Sequence, residues 1–367
     1  MRFNLNNPAF LQAGGNQPMI TRFVLTENSG GEVSLSANGS VTVEYMQDGE
    51  KVRNTYSELS DTYVPIPAGV EATIYGTVTA INFEGDNNVF YSIDLSKNTA
   101  LIFFNCSDCT GLTSLDLSKN TALTTFICNG CTELTSLDLS KNTALTELNC
   151  SDCIGLTSLD VSKNTSLSRL ECNGCTELTS LDLSKNTSLS RLECNGCTEL
   201  TSLDLSKNTA LTELNCSDCI ELTSLDLSKN TALTELNCSD CIGLTSLDVS
   251  KNTSLTGFNC SDCTGLTSLD VSKNTALGYL ICSDCQNLIM LNIKNTADLK
   301  YGTILLDQSM ASLTTLQVAG TSAFAYEQVE SWLSDYAPDN GMLYVDENTP
   351  QGVITEAEGK SWTVEYV

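Results

Sequence analysis

Apolar residues recur along this chain with a fixed step. From Leu112 the sequence reads LTSLDLSKNTALTTFICNGCTE, LTSLDLSKNTALTELNCSDCIG, LTSLDVSKNTSLSRLECNGCTE, and it keeps that register through the coil that begins at Leu266. The period is 22 residues. A degenerate first coil starts at Phe90 (FYSIDLSKNTALIFFNCSDCTG) and a decaying last one at Leu288 (LIMLNIKNTADLKYGTILL), as the end coils of a repeat array do. Each coil divides into two halves of the form L-x-x-L-x-[LVC]-x-x-[NC], namely LTSLDLSKN and LTELNCSDC. Positions 1, 4 and 6 of each half point inward and the residues between them point out. One unit carries about five large apolar side chains, too few to close a core alone, so units must stack on identical neighbours.

The flanks read differently. Within residues 21 to about 85, TRFVLTENSGGEVSLSANGSVTVEYMQDG and YVPIPAGVEATIYGTVTAINF alternate apolar and polar residues between Gly, Asn and Pro turns, which predicts a small β-rich domain that also caps the stack. After the coils, SLTTLQV predicts one more strand, Tyr326 to Tyr336 a short amphipathic helix, and MLYVD with SWTVEYV a closing β pair that seals the open end. The expected division is an N-terminal extension (1–20), a β-rich N-terminal domain (21–88), a solenoid (89–309) of about nine coils plus a degenerate one, and a mixed C-terminal cap (310–367).

Asn98, Asn120, Asn142, Asn164, Asn186, Asn208, Asn230, Asn252 and Asn274 fall at the same turn of every coil. There a side-chain amide can bond the backbone of the adjacent coil, so we read an asparagine ladder. With this period and the L-x-x-L-x-L-x-x-N halves, the chain resembles bacterial leucine-rich-repeat proteins over roughly residues 90 to 318. It is similar to the internalins in its repeat length and to the cysteine-bearing repeat proteins of gut Bacteroidetes. The resemblance implies a right-handed leucine-rich-repeat solenoid with a parallel β-sheet, β-rich here although the family belongs to the α/β class. It also implies that LTELNC forms the concave strand, that LTSLDLSKN forms the convex return, and that the surface serves adhesion and host-protein binding. Cys stands where that family usually has Asn, and both halves fit the consensus.

Charge narrows the choice of partners. With 45 acidic residues against 18 basic ones the formal net charge is -27, so the surface field repels nucleic acid and anionic lipid. There is no histidine, which removes the commonest general base, the commonest metal ligand and every Ser-His or Cys-His nucleophile pair. The first twenty residues lack an apolar signal core, and no run of 18 apolar residues occurs, so neither membrane insertion nor a recognisable secretion signal is expected. A cell-surface or extracellular location would require a signal that has been removed; otherwise the chain is expected inside the cell or on a virion.

All 18 cysteines fall in CxxC pairs, from Cys106/Cys109 to Cys282/Cys285, one per coil. Two coils together read C-x2-C-x18-C-x2-C, a zinc-ribbon spacing in isolation. In a repeat, however, the sulfurs stand in columns rising by about 4.8 Å per coil, where cysteine serves as a small apolar core filler. Structural free thiols are therefore the first reading, with disulfides and zinc as the others. A Cα separation near 4.8 Å lies within the roughly 4.4–6.8 Å a disulfide tolerates, although parallel side chains give a poor torsion. No helix N-terminus is predicted beside a CxxC, which argues against redox catalysis.

Asp94 and its equivalents to Asp270 form a second column with a Lys three residues on, Lys97 to Lys273. We read it as a solvated charge ladder in which the two columns neutralise each other; calcium is disfavoured because the Gly-Gly-x-Gly-x-Asp turns of calcium β-rolls are missing. If LTELNC is concave, its outward column is Phe103, Thr125, Glu147, Arg169, Arg191, Glu213, Glu235, Gly257 and Tyr279, with Asn149, Glu171, Glu193 and Ile281 among those beside it. This is the one place where the coils differ usefully, a charged centre between apolar and aromatic ends. Phe103, Glu147, Arg169, Glu171, Arg191, Glu193, Glu213, Glu235 and Tyr279 are the candidate partner-binding residues, Arg and Tyr being favoured anchors. The alternative is that Glu and Arg only offset like-charge stacking within the columns. No acidic pair stands out from its repeated copies as a glycosidase would need, and no catalytic residue, cofactor or metal site is expected.

The reading is thus a non-catalytic interaction protein whose repeat surface binds a protein or a glycan, with no nucleic acid and no membrane insertion. The alternative is a structural virion or spacer component, such as a phage fibre or decoration protein, anchored by its N-terminal domain.

Overall fold

The structure, a computed structural model, describes residues 20–25, 31–83, 90–299, 306 and 308–367. Most of the expected N-terminal extension and part of the decaying last coil lie outside the described residues.

Between its turns the N-terminal segment forms eight strands: β1 (Ile20–Leu25), β2 (Gly31–Ala37), β3 (Val41–Gln47), β4 (Glu50–Tyr56), β5 (Thr62–Ile66), β6 (Glu71–Tyr75), β7 (Val78–Asn82) and β8 (Phe90–Asp94). The apolar members of each alternation turn inward, as Val41, Val43 and Tyr45 do in β3. One antiparallel sheet has the order β4-β3-β6-β1-β8; in the other, β2 lies between β5 and β7.

Both sheets lead into the solenoid. Strand β7 pairs in parallel with β9 (Phe103–Asn105), Ala80 opposite Phe103 and Ile81 opposite Phe104. The same sheet then runs through β10 (Thr125–Ile127), β11 (Glu147–Asn149), β12 (Arg169–Glu171), β13 (Arg191–Glu193), β14 (Glu213–Asn215), β15 (Glu235–Asn237) and β16 (Gly257–Asn259). It passes over β17 (Ser268–Asp270) and ends on β18 (Tyr279–Ile281), twelve strands in all. These strands come from the LTELNC half, in zero-shift register: Leu148, Leu170, Leu192, Leu214 and Leu236 stand in one file. On the other side, β8 is the first coil's own LTSLD-type half, hydrogen-bonded to β1. The capping domain therefore shares its backbone ladder with the coils, a continuity no local sequence pattern announces. Phe23, Phe83, Phe90, Phe104 and Phe126 fill the junction, with ring centroids 4.7–6.5 Å apart.

Within the stack the leucines at positions 1, 4 and 6 are buried in both halves, as Leu134, Leu137 and Leu139 show. Position 9 carries the coil-to-coil bonds. Asn142 Nδ2 donates to Leu117 O (3.1 Å) and Asn120 O (2.9 Å) of the preceding coil, and the pattern repeats to Asn274. In the other half Cys takes the same place: Cys131 Sγ donates to Cys106 O at 3.2 Å and Cys153 Sγ to Cys128 O at 3.1 Å, each 25 residues back, as Asn142 is from Leu117. The thiol stands in for the amide, which explains how Cys replaces the expected Asn. All 18 cysteines are buried thiols outside any disulfide. Burial and the bond to the next coil's thiol raise the position-6 thiols, Cys106 for example, well above the ordinary value.

The corner between the two cysteines needs a left-handed residue. Asp108, Asp152, Asp218, Asp240, Asp262 and Asp284 have φ of 56–59°, and where Asp is absent Gly130, Gly174 and Gly196 take φ of 64–72°. This accounts for the exchange of Ser-Asp for Asn-Gly between otherwise matching loops. Where Asp stacks on Asp there is a cost: burial, then Asp218 and Asp262, push the Asp240 carboxyl up.

From Leu112 to Ser250 no strand is assigned to the LTSLD halves. Pairing on that side resumes at β17, which begins a second, all-parallel sheet through β19 (Met290–Asn292), β20 (Thr315–Gln317), β21 (Met342–Val345) and β22 (Thr363–Tyr366). The asparagine file continues here as the hydroxyls of Thr296 and Thr321, 3.0 Å apart. Helix α1 (Ala323–Asp335), capped by Ser322 Oγ, joins β20 to β21, and α2 (Gln351–Gly359) joins β21 to β22. The closing β pair is thus parallel and needs a crossover helix that the strand reading missed. Trp332 and Trp362 meet edge to face over this end, their ring centroids 5.9 Å apart.

Asn186 bonds two carbonyls of the coil before it, at 3.1 and 2.8 Å. Replacing it with Ala is expected to cost roughly 1–3 kcal/mol, read as a lowered urea midpoint, whereas Lys185→Ala on the same turn should stay within about 0.5 kcal/mol. Equal effects would show that the ladder carries no coupling.

Candidate interaction surface

Position 4 of each strand points into the core, so positions 3 and 5 stand outward in two files, repeating at about the 4.8 Å strand spacing. Position 2 contributes a third device. Thr146 Oγ1 donates to Thr124 O, Ser168 Oγ to Thr146 O and Ser190 Oγ to Ser168 O, at 3.0–3.1 Å. The strand face is therefore rigid along one border.

At its centre the charged side chains pair among themselves. Arg169 Nε donates to Glu171 Oε1 (2.6 Å) and lies 3.6 Å from Glu147, while Asn149 Nδ2 donates to the other Glu171 oxygen at 2.6 Å. Glu171 is only 9% exposed as a result. One coil on, Arg191 Nε donates to Glu193 Oε1 at 2.7 Å, and its Nη1 reaches Glu213. Burial pushes the Glu193 carboxyl up, but bonds from Asn173 and Arg191 more than offset it and hold the carboxyl below its usual value. The hydrogen bond to Glu193 in turn raises Arg191. The two arginines expected as free anchors are thus already held by carboxylates, which favours the charge-offset reading at this point.

Towards the C-terminal end the face changes character. Gly257 has no side chain in the outward file, and the Tyr279 ring leans across it so that its hydroxyl donates to Glu235 Oε2, two coils away, at 2.5 Å. A Cβ on Gly257 would fall 2.0 Å from the Glu235 carboxylate and 2.3 Å from the Tyr279 ring. Thr256 Oγ1 donates to the other Glu235 oxygen at 2.9 Å. A shallow depression opens between Arg191, Glu213, Glu235 and Tyr279, floored by Asn215 and Asn237. Phe103 lies at the opposite end of the file, on β9 beside the capping domain. The structure thus gathers Arg191, Glu193, Glu213, Glu235 and Tyr279 at one place, pairs Glu147, Arg169 and Glu171 next to it, and leaves Phe103 apart. The sequence places Gly257 in that file but gives it no role among the candidate residues, although it is the file's single glycine.

The acidic column on the other side serves the backbone. Asp116 Oδ1 accepts from Ser118 N at 2.9 Å, and the same turn recurs to Asp270 and Ser272. That backbone bond is the main reason the Asp116 carboxyl is held low, with Lys119 a lesser one. The expected Asp–Lys neutralisation is therefore secondary to turn formation. Among the described residues no group of three or more His, Cys, Asp or Glu side chains is placed to hold a metal ion, and no helix is long and apolar enough to cross a membrane.

No known protein-family profile matches the chain, and no curated protein sequence matches it significantly. Among solved structures it is similar to the functional domain of InlJ from Listeria monocytogenes, which includes a cysteine ladder. The two share 26% identity over 77% of this chain and 73% of that one, with a TM-score of 0.44. It is also similar to InlF, an internalin of the same organism, at 19% identity over 66% of this chain and 81% of that one, with a TM-score of 0.41.

Burial first, then the hydrogen bond to Glu235, push the Tyr279 hydroxyl up to about 12. A raised phenol lends stability that is fully present below the unfolded value near 10 and is lost as pH rises through the folded value. Among the 11 tyrosines, Tyr279 is expected with Tyr56, Tyr75 and Tyr326 in the late-ionising part of an ultraviolet titration, and Glu235→Gln should bring the Tyr279 contribution earlier. An unchanged titration in the variant would show that the Tyr279–Glu235 bond is not formed.

Proposed function

We propose that this chain is a non-catalytic interaction protein whose acidic strand face docks the basic side chains of a protein partner. The observation that carries this reading is where variation concentrates: the coils keep their leucine, asparagine and cysteine files with few exchanges, and differ most at the outward position 3 of the strand face, which runs from Phe103 to Tyr279. A catalytic residue should be singular, and the repeated acids and thiols are not.

The strand face is also the inner one on this reading. It is hydrogen-bonded strand to strand across the coils, while the LTSLD halves between Leu112 and Ser250 form no strands, as expected where coils spread on the outside of a curve. A concave, rigid sheet suits a partner's projecting surface.

Charge selects the partner class. Glu147, Glu171, Glu193, Glu213 and Glu235 face Arg169 and Arg191, and the whole chain carries -27. Since each arginine is already paired, the unspent charge is negative and is concentrated near Glu213 and Glu235, where Tyr279 adds an aromatic wall. Lysine- or arginine-bearing proteins are favoured, and anionic glycans are repelled. Neutral glycans are the competing ligands.

A combined protein and glycan array, probed with the chain and with a Glu213→Lys/Glu235→Lys variant, tests this. Salt-sensitive binding to basic proteins that weakens tenfold or more in the variant is expected. Glycan-only binding, or protein binding that ignores the reversal, would overturn it.

A further inference from the structure

Each position-9 thiol lies against the coil before it, not against its own CxxC partner. Cys131 Sγ sits 3.2 Å from Cys106 O, Cys197 Sγ 3.1 Å from Cys172 O, and Cys263 Sγ 3.0 Å from Cys238 O. In every such case the two thiols also share a hydrogen bond, as Cys128 does with Cys153 and Cys216 with Cys241. The spacing is 25 residues, one repeat step of 22 plus the three of the CxxC motif, so it joins position 6 of one coil to position 9 of the next. Followed through the stack it yields eight pairs, from Cys106–Cys131 to Cys260–Cys285. No thiol belongs to two pairs, and only the end members Cys109 and Cys282 fall outside the set.

That exclusivity matters chemically. Within one column each thiol would have a neighbour above and one below, so oxidation there would strand some sulfurs unpaired. The diagonal pairs have no such conflict, and all eight can close together.

We propose that these eight diagonal cysteine pairs are sites of reversible oxidative cross-linking, each closing to a disulfide that staples neighbouring coils when the chain meets a small-molecule disulfide such as oxidised glutathione. The exchange balances. One thiol of the pair loses its proton and its thiolate attacks the oxidant, forming a mixed disulfide and releasing one reduced small thiol. The second thiol loses its proton, attacks the protein sulfur of that mixed disulfide, and expels the second small thiol. Two protein thiols are oxidised by two electrons, and one oxidant disulfide is reduced to two thiols. Cys153, kept below the ordinary thiol value by the Cys128 thiol bonded to it, is suited to the first attack. Because every sulfur is shielded, exchange proceeds while a coil is transiently open or during folding. Each link then closes a loop of about one coil, which restrains the unfolded chain.

The repeat supplies its own assay. A lysine follows an LS or VS dipeptide in each turn from Lys119 to Lys251, so complete tryptic cleavage leaves one CxxC per peptide along most of the array. The full chain would be refolded with reduced and oxidised glutathione, alkylated, unfolded and digested without reduction. Peptides from 98–119 to 274–294 held together coil to coil, with 120–141 joined to 142–163 through Cys128 and Cys153, and all released by reductant, are the expected result. The oxidised chain should melt several degrees above the reduced one, and a Cys128→Ser/Cys153→Ser variant should lose that one link while keeping the others. Separate peptides each lighter by two hydrogens would assign the bonds to the CxxC motif and overturn the proposal. So would 18 alkylated thiols, or cross-links only between chains.

Discussion

At the corners of the coils, buried backbone carbonyls accept one bond from the turn's own amide, as Leu117 O does from Asn120 N, and a second from a side chain one coil later. That second donor is an asparagine amide on one side and a cysteine thiol on the other. Each such buried bond is worth about 0.5–1.5 kcal/mol. This requirement makes the coils interdependent and fixes their stacking register, and both ends need something other than another coil. At the N-terminus the need is met by a β-sandwich that shares its strands with the first coil, and at the C-terminus by hydroxyls, helices and a pair of tryptophans.

The same constraint decides where variation is tolerated. Leucine, asparagine and cysteine positions are committed to packing or to ladders, and the aspartates at position 5 hold their turns by accepting serine amides. What remains free is the outward side of the strand file. Even there the chain settles most of its own charge, since Arg169 and Arg191 are clamped by glutamates and Glu235 is held by Tyr279 across Gly257. Side chains held in this way have little freedom left to lose, which lowers the entropic cost of any contact made there.

The sequence makes the solenoid and its core legible because a repeat is self-consistent: the inward leucines, the buried Asn98-to-Asn274 file and the buried cysteines occupy the positions that the period assigns. Its silences have physical causes. The parallel pairing of β7 with β9 is non-local and leaves no trace in either segment. Helix α2 is hidden because Pro350 and Gly352 interrupt its short apolar pattern, yet Val353, Ile354 and Ala357 lie on its buried side. The left-handed corner could have been read, since Asp and Gly alternating at one position of a near-invariant loop have that conformation in common. The diagonal contact between cysteines 25 residues apart could not, because it depends on how far each coil is offset from the next. On the strand face the outward files follow from the period, but whether an arginine is free or clamped depends on rotamers that a pattern does not specify.

If thiols do serve as the second ladder, they are inaccessible in the native state. Iodoacetamide labelling of the reduced, folded chain, followed by intact mass measurement, addresses this directly. The account expects no labelled cysteine in the folded protein and 18 after unfolding. Ready native labelling of one whole column would contradict it, because those sulfurs would then face solvent and could not be bonding the carbonyls of the coil before.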